Sequence, residues 1–404
     1  MRVSGSKDMT PWLSLIGLGE DGHVAPAARA RLSQAPLVVG GARHLKLIGE
    51  TSGERLAWPS PMQEAYEKIL ARRGENVCVL ASGDPFFFGV GSALAALAPG
   101  EFESFPQPSA FSLAASRLGW ALQDCTLISL HGRALERVIP HLQPGARILA
   151  LSWDAETPDQ LGSLLCSRYL GDSRLTVLEA MGGPRERRRS GTAWEFDSRG
   201  LDSLNTIALV VIDAIGTRVP PRAAGLPDDW FEHDGQITKR EMRALTISAL
   251  APRPRETLWD VGAGAGSVAI EWLLADPSLQ AVAVERDPAR CARIASNAAG
   301  LGVPHLRVVE GAAPHALAGL PAPDAVFVGG GIADAFEMCW AALKPGGRLV
   351  VNAVTVESQA TVSELSRRFG GELLHVQYAR AEPVGRFRGF RPLMPSVQWR
   401  AVKS

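Results

Sequence analysis

Asp260, Gly262, Gly264 and Gly266 alternate as Asp-x-Gly-x-Gly-x-Gly between the apolar Leu258-Trp259 and a helix-like stretch that opens at Ser267. Glycines so placed let the backbone approach a ligand closely, and the following helix offers unpaired N–H groups and a partial positive charge. α/β proteins hold nucleotide-like cofactors at such turns. Glu285 ends the apolar run 279–285, about 20 positions further on, where an acid accepts ribose hydroxyls in a doubly wound sheet. Beside Arg286 and Asp287 it reads equally as a solvated acid at a strand end. A nicotinamide fingerprint requires Gly-x-Gly-x-x-Gly, but counted from Gly262 its third glycine is replaced by Ser267.

A second turn, Ser82-Gly83-Asp84-Pro85, follows the apolar run that begins at Val77. Gly83 permits close backbone approach, Asp84 can accept from N–H donors, and Pro85 fixes the turn. These residue types also build plain strand-ending turns. Gly17 and Gly19 mark another glycine-rich turn within 12–22. Cys78, Cys125, Cys166, Cys291 and Cys339 have no Cys-x-x-Cys pairing, and the eight histidines have no metal-ligand spacing, so we expect buried, reduced thiols and no metal.

Positioning these turns requires strands that alternate with helices. Strand-like runs at 258–261, 279–285, 305–309, 324–328 and 347–351, with helix-like segments between them, predict a doubly wound parallel sheet. In the first half, strand-like segments begin at Trp12, Val38 and Val77, and Pro106-x-Pro-Ser109-Ala110 opens a helix. Strands follow at 146–153, 175–180 and 205–213, the last closing the domain. Residues 216–228 carry prolines and glycines without periodicity and read as a linker. The 404 residues therefore divide into domains at 10–215 and 229–404.

The formal charge is zero, from 42 basic and 42 acidic residues, which gives no global attraction for nucleic acid or membranes. No run approaches the roughly 18 apolar residues of a membrane span. Residues 1–11 lack a signal-peptide core and read as a frayed leader, so a soluble, cytoplasmic protein is expected.

The turn at Asp260, Glu285, Gly311-Ala312-Ala313, and Leu343-Lys-Pro-Gly-Gly ahead of a strand together resemble class I S-adenosylmethionine (SAM) methyltransferases. That resemblance implies a Rossmann-like sheet, Asp260 facing the methionine end of SAM, and adenine contacts from Gly311 and Ala312. In the first half, Gly17-x-Gly19, Val38-Val-Gly-Gly-Ala-Arg-His-Leu, the Ser82 turn and Pro106-x-Pro-Ser resemble the tetrapyrrole methylases. The fold implied is two α/β subdomains, with Gly17, Gly19, Ser82, Gly83, Asp84, Phe87, Ser109, Ala110, Leu151 and Gly182 around SAM. The last two are carried over by position alone. Glu20-Asp21 stands where the family often has Pro-Gly-Asp, which leaves that loop's role open.

Residues 225–243 resemble the lead-in to decarboxylating precorrin methyltransferases, a likeness that extends over nearly the whole chain. It implies two SAM sites: one for methylation of carbon 5 of a tetrapyrrole by the N-terminal domain, one for methylation of carbon 15 with loss of the ring-C acetate carboxyl by the C-terminal domain. A homo-oligomer is also implied. Electron-rich meso carbons attack a sulfonium methyl directly, so alignment matters more than a strong base. Thr238 matches a position near the methionine moiety and also suits a helix N-cap before Lys239. A polycarboxylate substrate calls for arginines. Lys239, Arg240 and Arg243 share one predicted helix, Arg386, Arg388 and Arg391 crowd a loop bounded by Gly385 and Gly389, and Arg185 and Arg187 to Arg189 follow Gly182-Gly183-Pro184. The last group reads equally as a solvated face. Phe87 is a candidate wall, whereas Phe86, Phe88, Trp259 and Trp340 suit the core. His44, His131 and Glu271 are candidates for proton movement or structural burial. Two other readings use the same folds: an RNA or tRNA methyltransferase, which the neutral charge disfavours, and a SAM-sensing scaffold.

Overall fold

The computed structural model describes residues 11–404, so the expected leader lies outside it except for Pro11. The chain forms two compact units. One holds residues up to Leu135 together with His141–Arg218, and the other holds Glu136–Pro140 and Val219–Ser404.

The first unit contains two five-stranded sheets. One is wholly parallel, in the order Glu54–Ala57, Leu37–Gly40, Val77–Ser82, Leu13–Leu18, Phe102–Phe105. Its central strands are apolar and buried on both faces, as parallel sheets covered by helices require. The other runs Cys125–Ser129, Arg147–Leu151, Asn205–Val210, Arg174–Glu179, Arg187–Thr192, and only its first pair is parallel. Asn205–Val210 is last in the chain yet lies at the sheet's centre. The arginine run occupies the edge strand, where Arg187 reaches the buried Glu179 at 2.8 Å and Arg189 donates to the Arg199 and Gly200 carbonyls. Charged side chains at an edge discourage strand addition.

The second unit is a seven-stranded sheet, ordered Arg307–Glu310, Gln280–Glu285, Thr257–Val261, Ala325–Val328, Arg348–Ala353, Ser396–Val402, Glu372–Val376. The first five strands are parallel, and Ser396–Val402 runs antiparallel to both of its neighbours, Arg348–Ala353 and Glu372–Val376. The two faces carry separate cores, one around Trp272, Leu273 and Phe327, the other around Trp259, Phe336 and Trp399. The region around Arg388 is not a shaped loop. It is a hairpin of Ala379–Val384 and Phe387–Pro392, turned at Gly385.

The linker is shorter than the sequence suggested. Leu226 is in the second unit's core, and the amides of Gly225 and Leu226 donate to Glu271 at 2.7 and 2.8 Å. Glu271 also accepts from Arg243 Nε at 2.5 Å, so it is a structural anchor and not a proton carrier. Arg243, expected to capture a substrate carboxylate, is 0% exposed. Three more of its N–H groups reach Asp228, the Thr238 carbonyl and the Leu226 carbonyl, so four of the five are spent inside the fold and burial closes the guanidinium to a ligand. Cys78 and Cys339 are buried, and burial pushes both thiols up to about 12. The other three cysteines are only half-buried, contrary to expectation.

Breaking a buried ion pair by removing one partner strands the other charge, at a cost of about 3–5 kcal/mol. Arg243→Met and Glu271→Gln are each expected to lower the unfolding free energy of the second unit by that order in urea titrations. The double substitution Arg243→Met/Glu271→Leu should cost less than the two singles added together.

Candidate active sites

In the second unit Gly262, Gly264 and Gly266 all have φ near +60 to +75°, so the Gly-x-Gly-x-Gly alternation is a run of left-handed positions that side chains resist. The turn folds toward the neighbouring strand: Gly262 and Ala263 amides donate to the Val284 carbonyl, and Gly264 N donates to Glu285 Oε2 at 2.9 Å. Glu285 Oε1 accepts from the amides of Arg286 and Asp287. The acid is therefore buried and oriented by backbone, not a solvated strand end. Oε2 keeps a lone pair for a hydroxyl donor.

Asp260 lies one strand away. Its Oδ2 accepts from Ala269 N inside the next helix at 3.0 Å, while Oδ1 is buried without a hydrogen-bond partner. Burial, and to a smaller degree the charge of Glu285, raises its pKa to about 7 against the pull of the Ala269 amide. An orphaned buried carboxylate oxygen beside a glycine turn suits a cationic ligand group. Gly311 and Ala312 follow the end of Arg307–Glu310, the strand beside Glu285, and Gly311 N donates to the Glu285 carbonyl. The segment that carries Thr238 runs against the turn, with the Gln236 carbonyl opposite Gly264. Lys239, not Thr238, occupies the helix N-cap, and Thr238's carbonyl is held by Arg243. Sequence reading missed Asn297, which bridges Glu232 and the Ala265 carbonyl beneath the turn. A polar residue amid the apolar positions of its helix was the available signal.

The first unit holds a cleft of about 610 Å³ at the carboxyl ends of Leu13–Leu18 and Val77–Ser82. That volume is ordinary for a small-molecule site, and its position is the one open α/β sheets use. Gly19, Ser82, Gly83, Phe87, Ser109, Ala110 and Leu151 line it. Gly17, Asp84 and Gly182 do not, and support it instead. A Cβ on Gly17 would lie 1.9 Å from the Gly83 carbonyl oxygen, so Gly17 lets two loops touch. Asp84 accepts from Phe86 N, and Gly182 N is tied to Glu186. Ser109 caps its helix by accepting from Ser112 N.

A polar cluster closes one side. Arg43 Nη1 pairs with Glu20, and Nη2 donates to Ser82 Oγ at 2.9 Å and to His44 Nε2 at 3.0 Å. Guanidinium only donates, so His44 Nε2 is an acceptor. Burial first, and then the charge of Arg43, lowers the His44 pKa to about 4, which keeps the ring neutral at ordinary pH. Glu20, from the loop that departs from its family's pattern, is the anchor of this cluster and also meets Arg185. Arg185 further pairs with Asp202. Arg43 and Arg133 line the cleft, and neither was singled out from the sequence. Arg43 opens the short helix Ala42–Leu47 just after Gly40-Gly41, and Arg133 follows Gly132 in a turn.

The basic hairpin of the second unit is exposed, with Arg386, Arg388 and Arg391 beside Phe387 at 67% and Phe390 at 81% exposure. Arg391 meets Glu382 at 3.2 Å, and Arg380 anchors the hairpin base to Glu241 at 2.7 Å. Arg240 is exposed at the start of its helix. Among the described residues no cluster of His, Cys, Asp and Glu could hold a metal ion, and no helix is long and apolar enough to cross a membrane.

Two domain families match: tetrapyrrole (corrin/porphyrin) methylases over residues 15–197 and the precorrin methyltransferase domain over 229–403. These define a chain of two fused methyltransferase domains. A precorrin-6Y C(5,15)-methyltransferase (decarboxylating) from a Sinorhizobium species is 53% identical over 98% of this chain and 97% of its own length. Two Salmonella typhimurium proteins match in part. A cobalt-precorrin-6B C(15)-methyltransferase (decarboxylating) is 33% identical over 39% of this chain and 85% of its own, and a cobalt-precorrin-7 C(5)-methyltransferase is 30% identical over 43% and 88%. The chain belongs to the family of decarboxylating precorrin-6Y C(5,15)-methyltransferases. Its members are SAM-dependent enzymes.

The raised pKa of Asp260 works against folding in the ligand-free chain, because the buried carboxyl ionises less readily than in the unfolded chain. Stability should fall as pH climbs from about 4 toward about 7 and level off above, and Asp260→Asn should remove the slope. A cationic group bound beside Asp260 favours the ionised form. SAM bound at this turn should therefore show, by calorimetry, an affinity that weakens about tenfold per pH unit below 7, and Asp260→Asn should abolish that dependence.

Proposed function

We propose that the chain methylates a precorrin at carbons 5 and 15 and removes the ring-C acetate carboxyl, with one SAM site in each unit. The observation that carries this reading is the presence of two unlike sites, each at the carboxyl ends of parallel strands in its own unit and each provided with strained or close-packed glycines. The half-length relatives support the division, since each carries one of the two reactions in its name. Those names also support an order, with carbon 15 methylated on the 6B precursor and carbon 5 on precorrin-7.

SAM supplies an electrophilic methyl: the new carbon–carbon bond forms as the sulfur–methyl bond breaks. The residues orient and shield this exchange. In the second unit Glu285 accepts from the ribose, Asp260 holds the cationic methionine end, and Gly311 and Ala312 border the adenine. Thr238 borders the methionine moiety. In the first unit Ser82, Gly83, Ser109, Ala110 and Leu151 wall the donor, and Gly19 and Phe87 border it. No strong base is needed at the methylated carbon, consistent with a His44 held neutral. In decarboxylation the carbon–carboxyl bond breaks, its electron pair passes into the conjugated macrocycle, and a proton completes the side-chain methyl. Arg240, Arg386, Arg388 and Arg391 face substrate carboxylates in this unit.

Gly83→Val and Gly264→Val in the full chain test the division, since both positions have left-handed φ. Mass spectrometry of the product should show loss of the carbon-5 methyl alone for Gly83→Val. Gly264→Val should lose the carbon-15 methyl and carbon dioxide release together. Methylation of bulk RNA, with precorrins ignored, would sink the reading.

A further inference from the structure

Three of the four arginines expected to bind substrate in the first unit are already committed: Arg185 is shared between Asp202 and Glu20, Arg187 holds Glu179, and Arg189 is bonded to two carbonyls. The fourth, Arg188, is exposed and does not line the cleft. Of the two arginines that line the cleft, Arg43 is paired with Glu20. The other is Arg133, which is exposed and has no carboxylate in ion-pair reach among the described residues. Its guanidinium lies over the Phe88 ring, 5.6 Å from the centroid.

Phe88 is itself unusual. It has φ +55°, a conformation that bulky residues adopt only against steric resistance, and its ring is 43% exposed on the cleft wall. Such outliers persist where the surroundings hold them, and they gather at ligand sites. The ring is braced beneath by Phe87 and the buried Phe111, at centroid distances of 5.1 and 5.7 Å. The brace fixes the ring, and the ring in turn fixes the planar guanidinium above it, so less rotamer freedom is lost when a ligand is bound.

We infer that Arg133, held on the strained Phe88, captures a peripheral carboxylate of the tetrapyrrole during carbon-5 methylation, while the exposed ring borders the macrocycle. This rests on the assignment of that step to the first unit. Carboxylate chemistry is shared by the macrocycle and by the methionine end of SAM, and we assign it to the macrocycle because Arg133 and Phe88 are exposed at the cleft, where a large ligand has access.

The test uses the full chain with SAM carrying a labelled methyl, scoring each position by carbon NMR. Arg133→Gln should raise the KM for the tetrapyrrole in the carbon-5 step by roughly tenfold to a hundredfold, the range for a hydrogen bond to a charged group. Arg133→Lys should recover part of it. Phe88→Leu should raise the same KM with Arg133 intact. SAM affinity, carbon-15 methylation and carbon dioxide release should be unmoved in all three. An unchanged tetrapyrrole KM in Arg133→Gln would overturn the inference, as would weakened SAM binding without a KM change. An unsubstituted chain that places its methyl at carbon 15 but never at carbon 5 would overturn the domain assignment as well, an outcome visible before any variant is made.

Discussion

The carboxylate of Glu271, buried below the glycine turn, is the constraint on which the second unit depends. It accepts from the amides of Gly225 and Leu226 and from Arg243 Nε, so one group satisfies three donors from two segments. Arg243 extends the tie to Asp228 and to the Thr238 carbonyl. A buried charge pair of this kind adds little net stability over an apolar replacement, because desolvation offsets the attraction. Its contribution is geometric: the lead-in segment cannot shift without stranding a charge. The Gln236 carbonyl is thereby set opposite Gly264, and the wall of the site is fixed before any ligand arrives.

What the sequence made legible followed from backbone requirements. Three glycines at alternate positions announced a turn of close backbone approach, which the fold makes from three left-handed residues, and Glu285 announced itself by distance along the chain from them. Strand positions were readable because parallel strands are apolar on both faces, as in Val77–Ser82 and Gln280–Glu285. The errors concern arginine. A guanidinium reads alike in sequence whether it is solvated, paired or buried, and its state depends on carboxylates far along the chain. Arg243 meets Glu271 across 28 positions and Arg185 meets Glu20 across 165. No local pattern encodes such pairings. Likewise, the hairpin at Arg388 was mistaken for a loop because its strands, Ala379–Val384 and Phe387–Pro392, are exposed and lack the alternation that burial on one face imposes.

The two units treat buried charge differently. In the second, an acid is buried with one oxygen unsatisfied, so its charge carries an energetic penalty that a cation would relieve. In the first, charges are neutralised internally: Glu20 compensates Arg43, Arg43 orients Ser82, and burial, with Arg43 second, keeps His44 neutral. The first site is thus built for shape and hydrogen bonding, with little standing electrostatic field, whereas the second carries a titrating group whose state follows occupancy.

This difference bears on the zero net charge of the chain. A ligand with many carboxylates would be drawn to a strongly basic protein, but so would every other polyanion in the cell. Internal pairing of Arg43, Arg185, Arg187 and Arg243 weakens that general attraction, while cationic groups still stand exposed on the hairpin and at the mouth of the first cleft. Pairing these arginines inside the fold therefore lowers the pull on polyanions at large without removing the guanidinium of Arg133 at the cleft.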